Sequence, residues 1–274
     1  MQTAEGKKRR VYALLAIVLL ALALRLAFSF VLYPRLAGPL GLGQDPDYFG
    51  QLALNWATGQ GYVFYPGDPP STFRGPGYPV LRAAIYLLSG QLLPATALVQ
   101  SLIGALLYMP VFAIGRRVGG ARVGYLAAGA CALYPLLIWY TPRLQYEPLF
   151  TLLLALAVLW TMKVGVDAPL AAAAAAQQSA ATRQWLWPAA LLGFWWGAAA
   201  LINQAVLLLP LPLFGMSMLA GEARVQNAKF RMQKWAVALV VMASVIAPWA
   251  IRNYWVSGRF IPVHSGGVTQ FVKG

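Results

Sequence analysis

The sequence has very few of the residues from which proteins build disulfides, soft-metal sites and histidine relays. It contains one cysteine, Cys131, and one histidine, His264. These counts exclude an intrachain disulfide, a cysteine-based zinc site and a histidine-rich metal site. Charge is scarce as well, because only 10% of the residues are charged, against about 25% in a typical soluble domain. Together these absences exclude most classes of soluble enzyme.

Long apolar runs take the place of the missing charge. Apolar residues make up 60% of the chain, and they come in blocks of about 20 residues, the length that crosses the roughly 30 Å hydrocarbon core of a bilayer. We therefore predict an all-α polytopic membrane protein with about seven transmembrane helices. The predicted spans are residues 11–33, 94–115, 122–142, 147–164, 186–202, 205–220 and 235–251.

Basic residues outnumber acidic ones by 21 to 7, for a net charge of +14. In a soluble protein such an excess would indicate nucleic-acid binding. Here most basic residues lie in the loops between apolar blocks, so we expect no nucleic-acid partner. More of them fall on the side of the N-terminal cluster at 7–10, and the positive-inside rule then places the N-terminus in the cytoplasm. The first apolar run is longer than the roughly 7–15 residues of a signal peptide's apolar region, so we expect it to be retained.

The predicted organisation is a single transmembrane module, 1–274, with one long outer loop at about 34–93. Two short helices are expected in this loop. One, at 47–58, would be capped by an acidic residue, and the other, at about 76–92, is amphipathic. An alanine-rich stretch at about 166–184 is typical of a low-complexity cytoplasmic linker without chemistry.

Three acidic residues on the predicted outer side are the candidates for catalysis. Asp45 and Asp47 come just before the first short helix, where they would either cap that helix or serve as a general base or metal ligands. Glu147 stands between two predicted spans, where it would either pair with Arg143 or face the Asp45/Asp47 loop as a further acid. A divalent metal ion, if the reaction uses one, would take these three carboxylates as ligands.

Three arginines on the same predicted side are candidates for binding a lipid phosphate. Arg25 lies within the first span, where an exposed arginine costs roughly 2–3 kcal/mol. It would either snorkel to the interface or neutralise a phosphate from a buried position. Arg74 and Arg252 lie at the same predicted level, and a guanidinium group fits phosphate oxygens bidentately.

Further polar residues complete the predicted substrate cavity. Tyr48 follows the acidic pair, Tyr78 belongs to a glycine- and proline-rich string, and Asn203 stands between two predicted spans. The alternative for Asn203 is a turn residue without a further role. His264 lies in a glycine-flexible segment and is expected to carry no chemistry.

Taken together, these patterns resemble the GT-C superfamily of membrane glycosyltransferases. The similarity is to the bacterial branch that includes dolichyl-phosphate-mannose-protein mannosyltransferase-like and aminoarabinose transferase-like enzymes, and it extends over nearly the whole chain in the same order. The strings that carry it are Asp45-Pro46-Asp47-Tyr48, Leu52 to Tyr62, Phe73-Arg74-Gly75-Pro76-Gly77-Tyr78-Pro79, Gly115-Arg116-Arg117, Leu144 to Phe150 and Pro248 to Tyr254.

The resemblance implies transfer of a hexosyl or pentosyl group from a polyprenyl-phosphate carrier to a glycan, lipid or protein acceptor. The reaction would take place at the outer face of a bacterial cytoplasmic membrane and invert the anomeric centre. By the same resemblance, Asp45 acts as the base or orients the acceptor, with Asp47 as its near-equivalent and Glu147 as the second acid. Arg74 and Arg252 would meet the carrier phosphate.

Members of this branch are usually longer, so the resemblance also implies that the chain is a fragment, a minimal member or an inactive remnant. An alternative function therefore stays open: a non-catalytic protein that binds or flips a polyprenyl-linked sugar, or a partner subunit built on the same module. A secondary transporter is disfavoured, because the sequence has no internal repeat and no acidic residue in the middle of a span.

Overall fold

The computed structural model describes residues 4–40, 45, 47–90, 93–143, 145–165, 186–219 and 225–266, and all regular elements in these ranges are helical. The linker predicted at 166–184 lies outside the described residues. The α-helices are α1 (Ala4–Ala27), α2 (Tyr33–Leu40), α3 (Phe49–Ala57), α4 (Gly77–Ser89), α5 (Leu93–Leu106), α6 (Tyr108–Leu133), α7 (Pro135–Trp139), α8 (Glu147–Gly165), α9 (Leu186–Ile202), α10 (Pro210–Leu219) and α11 (Val225–Ser257). A π-helical turn, Phe28–Leu32, joins α1 to α2, and a 3₁₀-helix, Gln204–Leu208, precedes α10.

Four helical segments in the described part are long and apolar enough to cross a membrane. The prediction of an all-α membrane protein is confirmed. The sequence predicted about seven spans, and four segments of the described residues have the length and hydropathy of a full span. Two shorter apolar helices, Leu186–Ile202 and Gln204–Met216, fall below the length of a full span. The four long segments are Val11–Gly38, Leu93–Leu133, Glu147–Val164 and Arg231–Ser257.

The segment Leu93–Leu133 turns back on itself at two glycines. Gly119 and Gly120 have non-helical backbone angles, and Gly120 has a φ of 80°, which favours glycine. A Cβ placed on Gly115 would lie 3.0 Å from the Cα of Gly124. Residues nine positions apart in a straight helix are more than 13 Å apart, at about 1.5 Å per residue. The two halves of this segment therefore form a helical hairpin.

The chain divides into two compact units. Unit 1 comprises Met1–Pro70 and Tyr78–Ala155, and unit 2 comprises Ser71–Gly77 and Leu156–Gly274. The predicted outer loop at 34–93 is therefore shared between them, since its segment 71–77 belongs to unit 2.

In unit 1, α1 packs against α5 and α6. Small residues allow the close approach of these helices, since Ala21, Ala105 and Ala128 are at most 2% exposed. Tyr108 is fully buried in the same cluster. Membrane helices associate through small residues of this kind, because lipid supplies little hydrophobic driving force between them.

In unit 2, α9 packs against α11. Gly193 and Gly197, four residues apart, allow the contact, because a Cβ on Gly193 would collide with the carbonyl oxygen of Ala238 and one on Gly197 would lie 2.9 Å from the Cβ of Val245. This small-xxx-small spacing lets two membrane helices approach at backbone distance. The sequence thus specifies this helix pair locally.

Candidate functional site

Asp45 lies at the start of α3, near the position where the sequence predicts an acidic cap. One carboxylate oxygen, Oδ2, accepts hydrogen bonds from the backbone amides of Gly50 and Gln51. Tyr48, the residue before the helix, has a φ of 59° and makes no capping hydrogen bond with its side chain. Asp45 therefore satisfies amide groups that the first turn of a helix leaves unpaired. Its Oδ2 acts as the helix cap that the sequence predicted as one alternative.

The other oxygen of Asp45 faces a buried arginine on α4. Nη1 of Arg82 lies 3.6 Å from Oδ1 of Asp45, and the two side chains are 0% and 19% exposed. The guanidinium carbon also lies 5.8 Å from the ring centroid of Tyr78. Within the described ranges, no hydrogen-bond partner exists for the three guanidinium nitrogens or for Oδ1 of Asp45. The ion pair is thus buried, with unused donors and an unused acceptor.

A glycine makes room for this pair. A Cβ on Gly50 would lie 2.6 Å from Oδ2 of Asp45 and 2.8 Å from Nη2 of Arg82. Any side chain at position 50 would displace one of the two charged groups. The close approach of the α3 backbone to the ion pair therefore requires glycine at this position.

The segment that carries Glu147 lies against the Asp45/Asp47 loop, although about 100 residues separate them in sequence. Nε2 of Gln145 donates to Oδ2 of Asp47 at 3.3 Å, and the rings of Phe49 and Tyr146 are 5.6 Å apart. Glu147 is in the first turn of α8 and interacts electrostatically with Asp47. The structure thus brings together the three acidic residues that the sequence selected.

Uncharged polar side chains line the same part of unit 1. Tyr78, Thr96 and Gln100 are fully buried, and Nε2 of Gln100 donates to the backbone oxygen of Gln145 at 2.6 Å. Buried polar groups are costly unless they are hydrogen-bonded, yet Oγ1 of Thr96 and Oε1 of Gln100 have no partner among the described residues.

Burial and neighbouring charges shift the ionisation of this cluster. Burial raises the pKa of Asp45, while the charge of Arg82 and the amides of Gly50 and Gln51 lower it, and the charge of Asp47 raises it further. Burial also raises the pKa of Tyr78, so its hydroxyl stays neutral. Burial lowers the pKa of Arg82, and the neighbouring Tyr78 and Asp45 oppose that shift.

The arrangement does not fit a metal centre. In the part of the chain that the structure describes, no group of three acidic, histidine or cysteine side chains could hold a metal ion. Asp45 is instead neutralised by a guanidinium group. A carboxylate with one free oxygen, held beside a fixed cation, can accept a proton or orient a hydroxyl group.

Arg25 is buried rather than snorkelling. Its side chain is 0% exposed, and its guanidinium group donates to the carbonyl oxygens of Ala21 at 3.3 Å and Leu137 at 3.5 Å. The guanidinium carbon lies 5.2 Å from the ring centroid of Tyr108. Arg25 belongs to unit 1 and the other two predicted phosphate ligands to unit 2, so their joint role stays a prediction.

Arg74 and Arg252 lie in a second polar region, within unit 2. Nη1 of Arg252 donates to the backbone oxygen of Ser71 at 2.5 Å, and its guanidinium carbon lies 4.8 Å from the ring centroid of Trp249. The guanidinium carbon of Arg74 lies 5.0 Å from the ring centroid of Phe73. The segment 71–77, which contains Arg74, thus contacts Arg252 near the end of α11.

Asn203 follows α9, and His264 lies close enough to Arg74 to feel its charge. Oδ1 of Asn203 accepts from the backbone amide of Ala205 at 3.0 Å and so caps the 3₁₀-helix, as the turn alternative expects. His264 is partly buried, and burial, followed by the charge of Arg74, lowers its pKa. The imidazole is therefore neutral in the folded state at neutral pH.

Unit 2 also contains an apolar cavity of about 620 Å³. It lies between α11 and the segment formed by the 3₁₀-helix and α10. Volumes of roughly 300–1,000 Å³ are typical of ligand sites, and an apolar lining suits a hydrocarbon chain. Its lining residues include Leu207, Leu211, Met242, Ile246, Tyr254 and Phe260.

Arg82 is not among the candidate residues that the sequence pattern selected. A signal was present, because Arg82 is the single charged residue of α4 and shares a helix face with Tyr78 and Ile85, at four and three positions away. A charge on the apolar face of an amphipathic helix is buried and therefore needs a counterion.

Of the predicted cavity residues, Tyr48 is 46% exposed and packs edge-on against Phe64, whereas Tyr78 lies inside the cluster.

Comparison of the sequence with models of known protein families gave no match, and comparison with curated proteins gave none either. The likeness to membrane glycosyltransferases therefore rests on the sequence strings quoted above. The geometry of the buried cluster provides a separate argument about function.

Proposed function

We propose that the protein is a membrane glycosyltransferase that moves a sugar from a polyprenyl-phosphate carrier to an acceptor, with Asp45 as the base or the residue that orients the acceptor. The convergence of Asp45, Asp47 and Glu147 in one part of unit 1, with Asp45 facing the buried guanidinium of Arg82, carries this proposal. Neutralising Arg82 explains the position of Asp45, but it gives no physical reason for Asp47 and Glu147 to lie nearby. A reaction that needs a positioned base provides a reason for the whole cluster.

The proposed step is a single displacement at the anomeric carbon. Oδ1 of Asp45 accepts the proton of the acceptor hydroxyl or amine as the acceptor atom forms its bond to the anomeric carbon. The bond from that carbon to the phosphate oxygen breaks, and the carrier phosphate leaves with the electron pair, so the configuration inverts. Oδ2 stays on the amides of Gly50 and Gln51, which orients Oδ1 towards the proton.

The proposed topology has seven crossings in the cytoplasmic membrane of a bacterium, with the N-terminus inside and the cluster outside. The hairpin at Gly119–Gly120 supports two crossings within the longest helical segment. The shorter apolar helices α9 and α10 would add two more. The positive-inside bias of the loops supports the orientation.

The carrier would be bound by cations and apolar surface. Arg74 and Arg252 are the proposed phosphate ligands, since guanidinium groups pair bidentately with phosphate oxygens. The 620 Å³ apolar cavity of unit 2 suits part of an isoprenoid chain. The same cavity favours a second candidate function, in which the protein binds or flips the lipid-linked sugar without transferring it.

The decisive experiment is transfer from a panel of radiolabelled polyprenyl-phosphate sugars by the purified protein in nanodiscs. Asp45→Asn should lower the rate by about 10²–10⁴, the usual range for loss of a general base. Binding of the carrier should survive in this variant. Asp68→Asn is the matched control, because Asp68 is exposed in the same loop and its Oδ2 accepts a hydrogen bond from the nearby backbone amide of Tyr65.

Glu147→Gln and Asp47→Asn test the rest of the cluster. A loss of rate in Asp47→Asn, with Asp45→Asn unaffected, would exchange the two roles and keep the mechanism. If all three variants transfer sugar at the wild-type rate, the carboxylate mechanism is wrong. Carrier binding without transfer, for every sugar tested, would favour the non-catalytic function.

A further inference from the structure

The two carboxylate oxygens of Asp45 have different environments, and Arg82 is responsible for the difference. Oδ2 is held by two backbone amides of α3, whereas Oδ1 faces the guanidinium of Arg82 at 3.6 Å and is buried without a hydrogen bond among the described residues. At this separation Oδ1 feels the positive charge while its lone pairs stay free.

Arg82 is itself placed with little freedom. Its side chain is completely buried on α4, with the ring of Tyr78 on one side and the Cα of Gly50 on the other, where no Cβ would fit. A buried cation of this kind is stable only next to an anion. In the described part of the chain, the ion pair of Arg82 is with Asp45.

The other charged and titratable groups around Asp45 do not take this role. Asp47, in the same loop, carries the same charge as Asp45 and opposes its ionisation, and Tyr78 on α4 stays neutral. From α8, Glu147 adds a further negative charge to the cluster and has Arg143 as its own cationic neighbour. Arg82 is thus the cation positioned to keep Asp45 ionised.

From this geometry we propose that Arg82 is a positioning residue for Asp45, which keeps the carboxylate ionised and presents Oδ1 as the oxygen that takes the proton. The inference rests on the proposed function, because it assigns Arg82 to the same reaction. It concerns a residue that acts through Asp45 and does not itself need to touch the sugar.

The test is the pH dependence of kcat/KM in nanodiscs for Arg82→Met and Arg82→Lys. Loss of the guanidinium should move the acid limb of the profile to higher pH by one unit or more, since Asp45 then holds its proton more tightly. Below that limb the rate should fall about tenfold for each unit of displacement. Lysine keeps the charge, so Arg82→Lys should restore the limb in part. Arg35→Met, which removes an exposed arginine of unit 1, should leave the profile unchanged.

A second readout does not depend on activity. Infrared difference spectra between low and high pH contain a carboxyl band for Asp45, assigned by its loss in Asp45→Asn. Its midpoint should move to higher pH in Arg82→Met and partly return in Arg82→Lys. If Arg82→Met does not fold, Arg82→Lys and Arg82→Gln provide the same comparison.

An unchanged infrared midpoint in the Arg82 variants would overturn the inference, and so would a uniform loss of rate with an unchanged acid limb. If the midpoint moves as expected while the wild-type protein transfers no sugar, the positioning of Asp45 stands and the proposed function fails. The two results therefore separate the two claims.

Discussion

Among the described residues of unit 1, two arginines are fully buried, and their surroundings differ in one respect. Both side chains are 0% exposed and lie near a tyrosine ring, Tyr108 for Arg25 and Tyr78 for Arg82. Arg25 donates to backbone carbonyl oxygens, whereas Arg82 faces a carboxylate. Carbonyl groups satisfy hydrogen bonds but leave the charge uncompensated, while a carboxylate neutralises it.

We interpret the difference as that between an arginine that holds helices together and one that, in the proposed reaction, positions Asp45. Arg25 joins α1 to the segment after α6 through Leu137, and among the described residues no aspartate or glutamate contributes to its electrostatic surroundings. Arg82 has no backbone acceptor among the described residues, so its charge acts on Asp45. The two arginines are thus equally buried and differ in the chemistry of their partners, and the proposed role of Arg82 rests on that difference.

The largest expected effect on stability comes from removing Arg82. Arg82→Met leaves the carboxylate of Asp45 buried without a counterion, which costs roughly 3–5 kcal/mol for a buried pair. Because Asp45 keeps 19% exposure, we expect the lower end of that range. Thermal unfolding in detergent should show the loss, and the double variant with Asp45→Asn should recover much of it. A double variant as unstable as the sum of the single ones would show that the two side chains do not interact.

A smaller loss is expected for Arg25→Met. Its two hydrogen bonds to carbonyl oxygens are long, at 3.3 and 3.5 Å, so we expect each to contribute only about 0.5–1 kcal/mol, and no opposite charge is left behind. The unfolding midpoint should therefore fall less than in Arg82→Met, and the pH dependence of transfer should stay as in the wild type. A pH profile altered as in Arg82→Met would remove the distinction between the two arginines.

The two glycines that make room for these arginines offer a matched pair. A Cβ on Gly104 would lie 2.5 Å from Nε of Arg25, and one on Gly50 would lie 2.6 Å from Oδ2 of Asp45. Each change to alanine should destabilise the fold by roughly 1–3 kcal/mol through overpacking, measured by thermal unfolding. Only Gly50→Ala should also slow sugar transfer. Gly129→Ala is the control, since its Cβ would meet open space, and an equal slowing in Gly104→Ala would contradict the comparison.

The smallest effect concerns His264, whose charge, unlike that of the arginines, changes near neutral pH. Its pKa is lowered in the folded state, so the unfolded chain binds the proton first as the pH falls below about 6.5. Folding stability should therefore decrease from about pH 7 towards the lowered folded-state pKa. The unfolding midpoint should depend less on pH in His264→Gln than in the wild type. An identical pH dependence would show that His264 does not contribute.

Local properties of the sequence predicted the parts of this fold that depend on neighbouring residues alone. The short helices expected at 47–58 and about 76–92 occur as α3 and α4. The break between the second and third predicted spans falls at Gly119–Gly120. Hydropathy and the residues that start or end a helix are properties of neighbouring residues, so they can be read from a single sequence.

By itself, the sequence thus determined an all-α membrane protein and selected Asp45, Asp47 and Glu147 as its acidic candidates. Only the tertiary structure decided that Arg82 pairs with Asp45, that Gln145 bonds to Asp47, and that Arg25 is buried against backbone carbonyls. Those contacts join residues up to about 110 positions apart. They depend on which helix faces meet, because a charge is stable inside a protein only where packing brings it a partner.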